Sequence, residues 1–307
     1  MRRLALGLAL LLATWPAAAE VLRVGPGQRF ARPSEAAAQA RPGDRVLIAP
    51  GQYRDCAAWH TPDLRIEAAG GEVVLQGPVC AGKALFVIAA PRVTIEGLTF
   101  RGAAAPAGNG AGIRAEGGEL TIRRSRFEGN ENGILTAPAP EATLRIEDSV
   151  FLGNGALRPG MECAHGVYAG QLGALVILRS RFEATRICHH VKSRALRTEI
   201  LDSQILDTPA GEASYLVDIP NGGALLLRGS LLRKGPRTGN AGTAVALGFE
   251  SGRNPPGAML VEGNRFENLL GRRTSFVTNR LVQPVTLRGN VLTGPVVPLA
   301  GAGQVAP

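Results

Sequence analysis

The chain has 307 residues, 45% of them hydrophobic but only 5% aromatic, with 40 glycines and 21 prolines, and 34 basic against 25 acidic residues give it a net charge of +9. This is too apolar for a disordered chain, and no segment after residue 19 is long and apolar enough to cross a bilayer. The positive charge points to polyanions as partners, either acidic glycans or nucleic acid.

Arg2-Arg3, an apolar run from Leu4 to Thr14 and the small residues Ala17-Ala18-Ala19 predict a signal peptide over residues 1–19, and hence export to the periplasm or beyond. Export disfavours nucleic acid, as does the absence of aromatics interleaved on a basic face. An acidic polysaccharide is the expected partner, and a monomer the expected state.

An eight-residue motif then recurs along the chain. VTIEGLTF from Val93 is echoed by LTIRRSRF from Leu120, LRIEDSVF from Leu144, LVILRSRF from Leu175 and TEILDSQI from Thr198, then by LLLRGSLL from Leu225, MLVEGNRF from Met259 and VTLRGNVL from Val285. The third position (Ile95 to Leu287) and the eighth (Phe100 to Leu292) are always apolar, and the sixth is mostly Ser or Asn. Stacked at about 4.8 Å, such positions make continuous internal columns with a polar turn beside them. A second strand precedes each motif and is commonly opened by glycine, as in Gly112-Ile113, Gly133-Ile134 and Gly166-Val167.

The pattern predicts an all-β fold, a single-stranded right-handed parallel β-helix of about ten coils over residues 20–294. A leucine-rich horseshoe lacks its consensus here, and a sandwich would not repeat one motif in one order. A short helix over Ser34–Ala40, with Ser34 as N-cap and Pro42-Gly43 as stop, is expected to cap the N-terminal end. Residues 295–307, rich in Pro, Gly and Ala, are read as a tail leaving the coil.

With a coil of about 24 residues, Cys56 and Cys80, and Cys163 and Cys188, fall on adjacent coils and are predicted to form two disulfides, although Cys163 is one residue out of register with Cys188.

Candidate chemistry gathers in three consecutive coils: His165-Gly-Val-Tyr168, His189-His-Val-Lys-Ser-Arg194 and Tyr215-Leu-Val-Asp-Ile-Pro-Asn221. Aligning Val167, Val191 and Val217 as inward residues sends Tyr168, Lys192 and Asp218 outward as one exposed ladder, with His190 and Arg194 on the same face. These five are the candidate catalytic residues. His165 and His189 have inward parity and are expected to stack or bond locally. With Ser193, Tyr215 and Asn221 they make up the candidate substrate-binding residues. The same ladder would also serve as a cross-strand ion pair. Insertions at Leu152–Ala164, Gly235–Thr243 and Glu250–Ala258 suit the walls of a groove.

The opening VGPGQRFARPSEAAAQARPGDRVLIAPGQY resembles the first coil of pectin-lyase-like β-helix proteins, and NGAGIRAEGG, ENGIL, HHVKSRA and ASYLVDIPNGG resemble exported bacterial β-helix proteins. Lys192-Ser193 is similar to the Lys-Ser pair of the alginate lyase and chondroitinase B group, which implies a catalytic role for Lys192. The chain departs from that group in lacking its Asn and Glu calcium cluster and in having Asp218 where the group has an arginine. The calcium-aspartate cluster of pectate lyases and the Asp-Pro-His-Asp motif of alginate epimerases are missing too. No metal ligand is therefore named and no cofactor is required, calcium having no recognisable site.

Three functions fit these residues. A lyase or epimerase for a uronate-containing polysaccharide would use Arg194 on the carboxylate, Lys192 as base and Tyr168 or His190 as acid. A glycoside hydrolase needs two carboxyl groups across a cleft, and Asp218 has no acidic neighbour in the register. A non-catalytic glycan-binding or envelope scaffold would use the columns and disulfides for stiffness.

Overall fold

The computed structural model of the protein describes residues 19–250 and 254–307. Except for Ala19, the leader expected over residues 1–19 lies outside them. Three parallel sheets of twelve, ten and ten strands run the length of the molecule, and each full coil gives one strand to each. His189–Ser193, Arg197–Leu201 and Gln204–Leu206 form one such coil.

The repeat positions stack in register. Ile95, Ile122, Ile146, Ile177, Ile200, Leu227, Val261 and Leu287 are consecutive ladder partners and are all buried. Phe100, Phe127, Phe151 and Phe182 stack face to face, with centroids 5.1, 4.6 and 4.4 Å apart. All four are buried and contribute hydrophobic stabilisation on this side of the coil.

The turn between the third and eighth positions has one design throughout. Its fifth residue is left-handed, whether glycine (Gly97, Gly229, Gly263, Gly289) or not (Arg124, Asp148, Arg179, Asp202, with φ of 44° to 50°). Its sixth residue takes the backbone N–H of the coil before. Ser149 Oγ accepts from Ser125, Ser180 from Ser149, Ser203 from Ser180 and Ser230 from Ser203, at 3.0–3.2 Å, and the asparagines Asn264 and Asn290 continue the ladder at 3.0 Å. Each buried amide is satisfied without a backbone partner.

The sheet to which His189–Ser193 belongs, the third sheet, holds the candidate site. Its strands begin at a corner where two successive residues both face inward. Gly112, Gly133 and Gly166 occupy the first of these positions, and a Cβ at Gly112 or Gly133 would sit 2.9 or 2.8 Å from the phenylalanine stack. Bulky residues flank these glycines in the same slot: Leu85 one coil before Gly112, and His190 and Leu216 one and two coils after Gly166.

Both disulfides form as expected, Cys56–Cys80 with Cα atoms 5.4 Å apart and Cys163–Cys188 with 6.0 Å. Cys188 is left-handed at φ 71°, a local turn at the point where the register is offset.

Two expectations need correction. The helix covers only Pro33–Ala37; its N-cap is Arg32, and Ser34 instead donates its backbone N–H to Asp55 at 2.8 Å. Pro33, pre-set for a first helical turn, moves the N-cap two residues earlier. Residues 295–307 do not leave the coil: Val296–Gly301 pairs with Thr274–Asn279, and Gly303–Ala306 with Val285–Arg288. Open strand edges there recruit even a Pro- and Gly-rich segment.

Candidate functional site

On the outer face of the third sheet, Arg114, Leu135, Tyr168, Lys192 and Asp218 form one cross-coil column, as the sequence register predicts for its last three members. A groove of about 700 Å³ lies over the first three members of this column, lined by Arg114, Leu135 and Tyr168 and, beside them, Arg194. Met161 and Glu162, from the Leu152–Ala164 insertion, line it too. The Gly235–Thr243 insertion does something else: it folds round the buried Lys234, whose ammonium donates to Thr238 Oγ1 at 2.8 Å and to the Asn240 carbonyl at 2.7 Å.

Lys192 and Asp218 face outward but are not open, at 7% and 2% exposure. Glu250, from the third insertion, covers them. One of its carboxylate oxygens pairs with Lys192 Nζ and the other with Arg194 Nη2. Partial burial pushes the Glu250 carboxyl up, but the two cations outweigh it and hold the group below its ordinary value. Asn254 anchors the far end of the same loop, donating to the carbonyls of Ala195 and Gly222, both at 2.9 Å.

Arg194 is the hub of the site. Its Nε donates to Tyr168 Oη at 2.9 Å and its Nη1 to Asn221 Oδ1 at 2.9 Å, leaving Nη2 for the carboxylate. Asn221 is buried and acts by orienting this guanidinium. Because Arg194 donates to the phenol oxygen, the Tyr168 hydroxyl proton is free to face the groove.

Beneath Lys192, Asp218 Oδ2 lies 3.4 Å from Nζ, and Oδ1 is buried with no hydrogen-bond partner among the described residues. Burial pushes this carboxyl up to about 6, with the Glu250 charge adding to the push and Lys192 opposing it.

The histidines are arranged differently from expectation. His165 and His189, predicted to point inward, stack on the outer face with Tyr215, with centroids 4.8 Å apart at each step. They continue a ladder in which each ring or amide takes the next coil's N–H: His165 N–H on Asn132 Oδ1 at 2.8 Å, His189 N–H on His165 Nδ1 at 3.2 Å, and Tyr215 N–H on His189 Nδ1 at 3.2 Å. Burial, reinforced by neighbouring positive charge, pulls the His189 ring down to about 3 and the His165 ring well below its ordinary value. Both are neutral near pH 7. With Nδ1 accepting, the His189 proton sits on Nε2, which faces Asp218 Oδ2 at 3.5 Å. His165 is too buried to meet a ligand.

His190 is not on the groove face. It is 0% exposed inside the coil, with Nδ1 on Thr185 Oγ1 at 2.7 Å and Nε2 on Asp207 Oδ1 at 2.9 Å. The three side chains resemble a hydrolytic triad in composition, but all are sealed in the core. Simple alternation failed at the corner, and the signal was present: His190-Val191 aligns with Gly166-Val167, so the histidine takes the inward glycine slot. Ser193 is also fully buried, bonded to Thr198 Oγ1 at 2.7 Å, and does not border the groove. Glu250 was missed because nothing local distinguishes it within its loop.

This geometry lies on a known architecture. The fold is a right-handed parallel β-helix. An alginate lyase from Paenibacillus sp. str. FPU-7 superposes with a TM-score of 0.60 at 14% identity, covering 93% of this chain and 99% of that one. The pectate lyase Pel9A gives 0.63 at 16% identity, covering 93% and 78%. ORF18 of Geobacillus virus E2 gives 0.52 at 14%, covering 86% and 52%. No family model and no curated protein matches the chain. At these identities the likeness is one of fold, and function has to be argued from the site.

Proposed function

We propose that this is an exported enzyme acting on a uronate-containing polysaccharide by lyase or epimerase chemistry. The observation that carries this reading is the convergence of Lys192 and Arg194 on a single carboxylate at the edge of an open groove, beside the Tyr168 hydroxyl. A polyuronate brings such a carboxylate with every residue. The two named lyases of the same fold support the reading, and the two disulfides support export.

In elimination, a base removes the C5 proton, the electron pair forms the C4–C5 double bond, the C4–O bond breaks, and the leaving oxygen takes a proton. Lys192 and Arg194 would neutralise the sugar carboxylate and the enolate charge that develops on it. Tyr168, held by Arg194 and entering the step as phenolate, would take the C5 proton and pass it to the leaving oxygen. In this proposal Lys192 serves as a cation rather than the base, since it already lies between Asp218 and Glu250. Re-addition of a proton to the opposite face of C5 would make the reaction an epimerisation.

One observation favours hydrolysis as a second reading. Glu250 supplies the acidic neighbour that Asp218 lacks in the register, and both reach Lys192 Nζ. In that case Asp218, raised to about 6, would be the acid.

The test is to incubate the protein with alginate, pectate, hyaluronan and chondroitin, following ultraviolet absorbance of unsaturated uronate together with reducing ends. Absorbance that rises with reducing ends establishes a lyase. Reducing ends alone establish a hydrolase. Neither, with no exchange of the C5 proton for solvent deuterium, would overturn the enzymatic reading.

A further inference from the structure

Glu250 occupies the position that the proposed reaction reserves for the substrate. Its two oxygens are divided between Lys192 and Arg194 as a uronate carboxylate would divide its own. Its side chain is 39% exposed at the mouth of the site, while Lys192 beneath it is 9% exposed. Glu250 is thus more accessible than either cation it pairs with, Arg194 being 25% exposed. Among the described residues its backbone makes one N–H contact, of 3.4 Å to the Pro220 carbonyl, whereas Asn254 anchors the loop independently of the carboxylate. The carboxylate can leave without the loop losing that anchor.

Among the described residues the cations have no second acidic occupant of equal quality. Asp218 is 3.4 Å from Nζ and buried below it, and His189 and Tyr215 around it are neutral. Removal of Glu250 would leave the Lys192 ammonium, and the Arg194 guanidinium edge that borders the groove, without their principal counter-charge.

We infer that Glu250 is a built-in competitor that fills the carboxylate subsite of this groove, so that only ligands with free carboxylates displace it. The inference rests on the polyuronate reading and adds two things: the location of the carboxylate subsite, and selection for free acid over ester. A methyl ester has no charge with which to replace Glu250 between two cations. A neutral sugar has none either.

The experiment is equilibrium binding of oligogalacturonate, oligoalginate and hyaluronan oligosaccharides, and of their methyl esters, to the full chain and to Glu250→Gln. Glutamine keeps the size of the side chain and removes its charge, and a Glu250→Ala variant with an unchanged unfolding midpoint controls for folding. The expected result is that the acids bind Glu250→Gln about three- to tenfold more tightly than the parent chain, the range set by a partly exposed ion pair of about 1 kcal/mol. Esters should gain no more than the acids do, so the preference for acid over ester should persist in the variant. Acids that bind the parent chain and bind Glu250→Gln equally or more weakly would overturn the inference and leave the polyuronate reading standing, with Glu250 then touching the sugar. If no oligosaccharide binds either protein, both fall together.

Discussion

Arg194 and Tyr168, on adjacent coils, are joined by a 2.9 Å hydrogen bond from guanidinium to phenol oxygen, so the cation of the groove and its exposed hydroxyl are positioned as one unit. The proposed chemistry depends on this pairing, and it gives the first prediction. Tyr168→Phe keeps the ring against His165 and under the two cations but removes the proton carrier. On whichever polyuronate responds, kcat should fall by about 10²–10⁴ with KM little changed. Arg194→Lys cannot reach Tyr168, Asn221 and a carboxylate together, and should also raise KM by about tenfold. Steady-state kinetics checks both, and near-parental turnover in Tyr168→Phe would remove the hydroxyl from the reaction.

Asp218 gives a pH prediction. Its carboxyl is raised from 3.8 to about 6, so the folded protein holds this proton more tightly than the unfolded chain does. The stability it contributes is present at low pH and lost as pH rises through about 4 to 6, an effect of order 2–3 kcal/mol. Asp218→Asn should therefore be more stable than the parent chain at about pH 7.5, and the gap should close below about pH 4. Urea midpoints at the two pH values decide it.

His189 acts with the opposite sign. Its ring is lowered from 6.5 to about 3, so the unfolded chain takes up a proton that the folded protein refuses, and stability is lost as pH falls through that window. His189→Gln keeps an acceptor for the Tyr215 N–H but does not titrate. It should lose less stability than the parent chain between about pH 7 and pH 4 in the same urea series.

The serine ladder is open to a direct test. Ser149→Ala strands the buried Ser125 N–H and should cost about 1–3 kcal/mol. Ser149→Asn should recover part of that loss, because Asn264 and Asn290 already do the same work further along the ladder. Thermal or chemical unfolding of the two variants makes the comparison.

The left-handed turn column predicts a stability gain. Asp202 sits at φ 49° in a column that also holds Gly289 at 58°. Asp202→Gly should stabilise by about 1 kcal/mol, and Gly289→Ala, with open space around its Cβ, should destabilise by a similar amount through backbone strain alone. A stabilised Gly289→Ala would show that the column is not strained.

The amino-acid sequence alone determined the coil, its register and both disulfides. In a solenoid each residue meets its counterpart one repeat away, so Ile122 to Ile146 or Phe127 to Phe151 can be read from spacing. It also placed Tyr168, Lys192 and Asp218 on one column. Tertiary structure decided what breaks that translation. At the corner before Val191 two neighbours face inward, which took His190 into the core and brought His189 out to Asp218. Glu250 reaches Lys192 and Arg194 from 58 and 56 residues away, through a loop that belongs to no repeat. Periodicity reports contacts that recur at every coil, and the parts of the site that occur once follow from chain direction and burial in three dimensions.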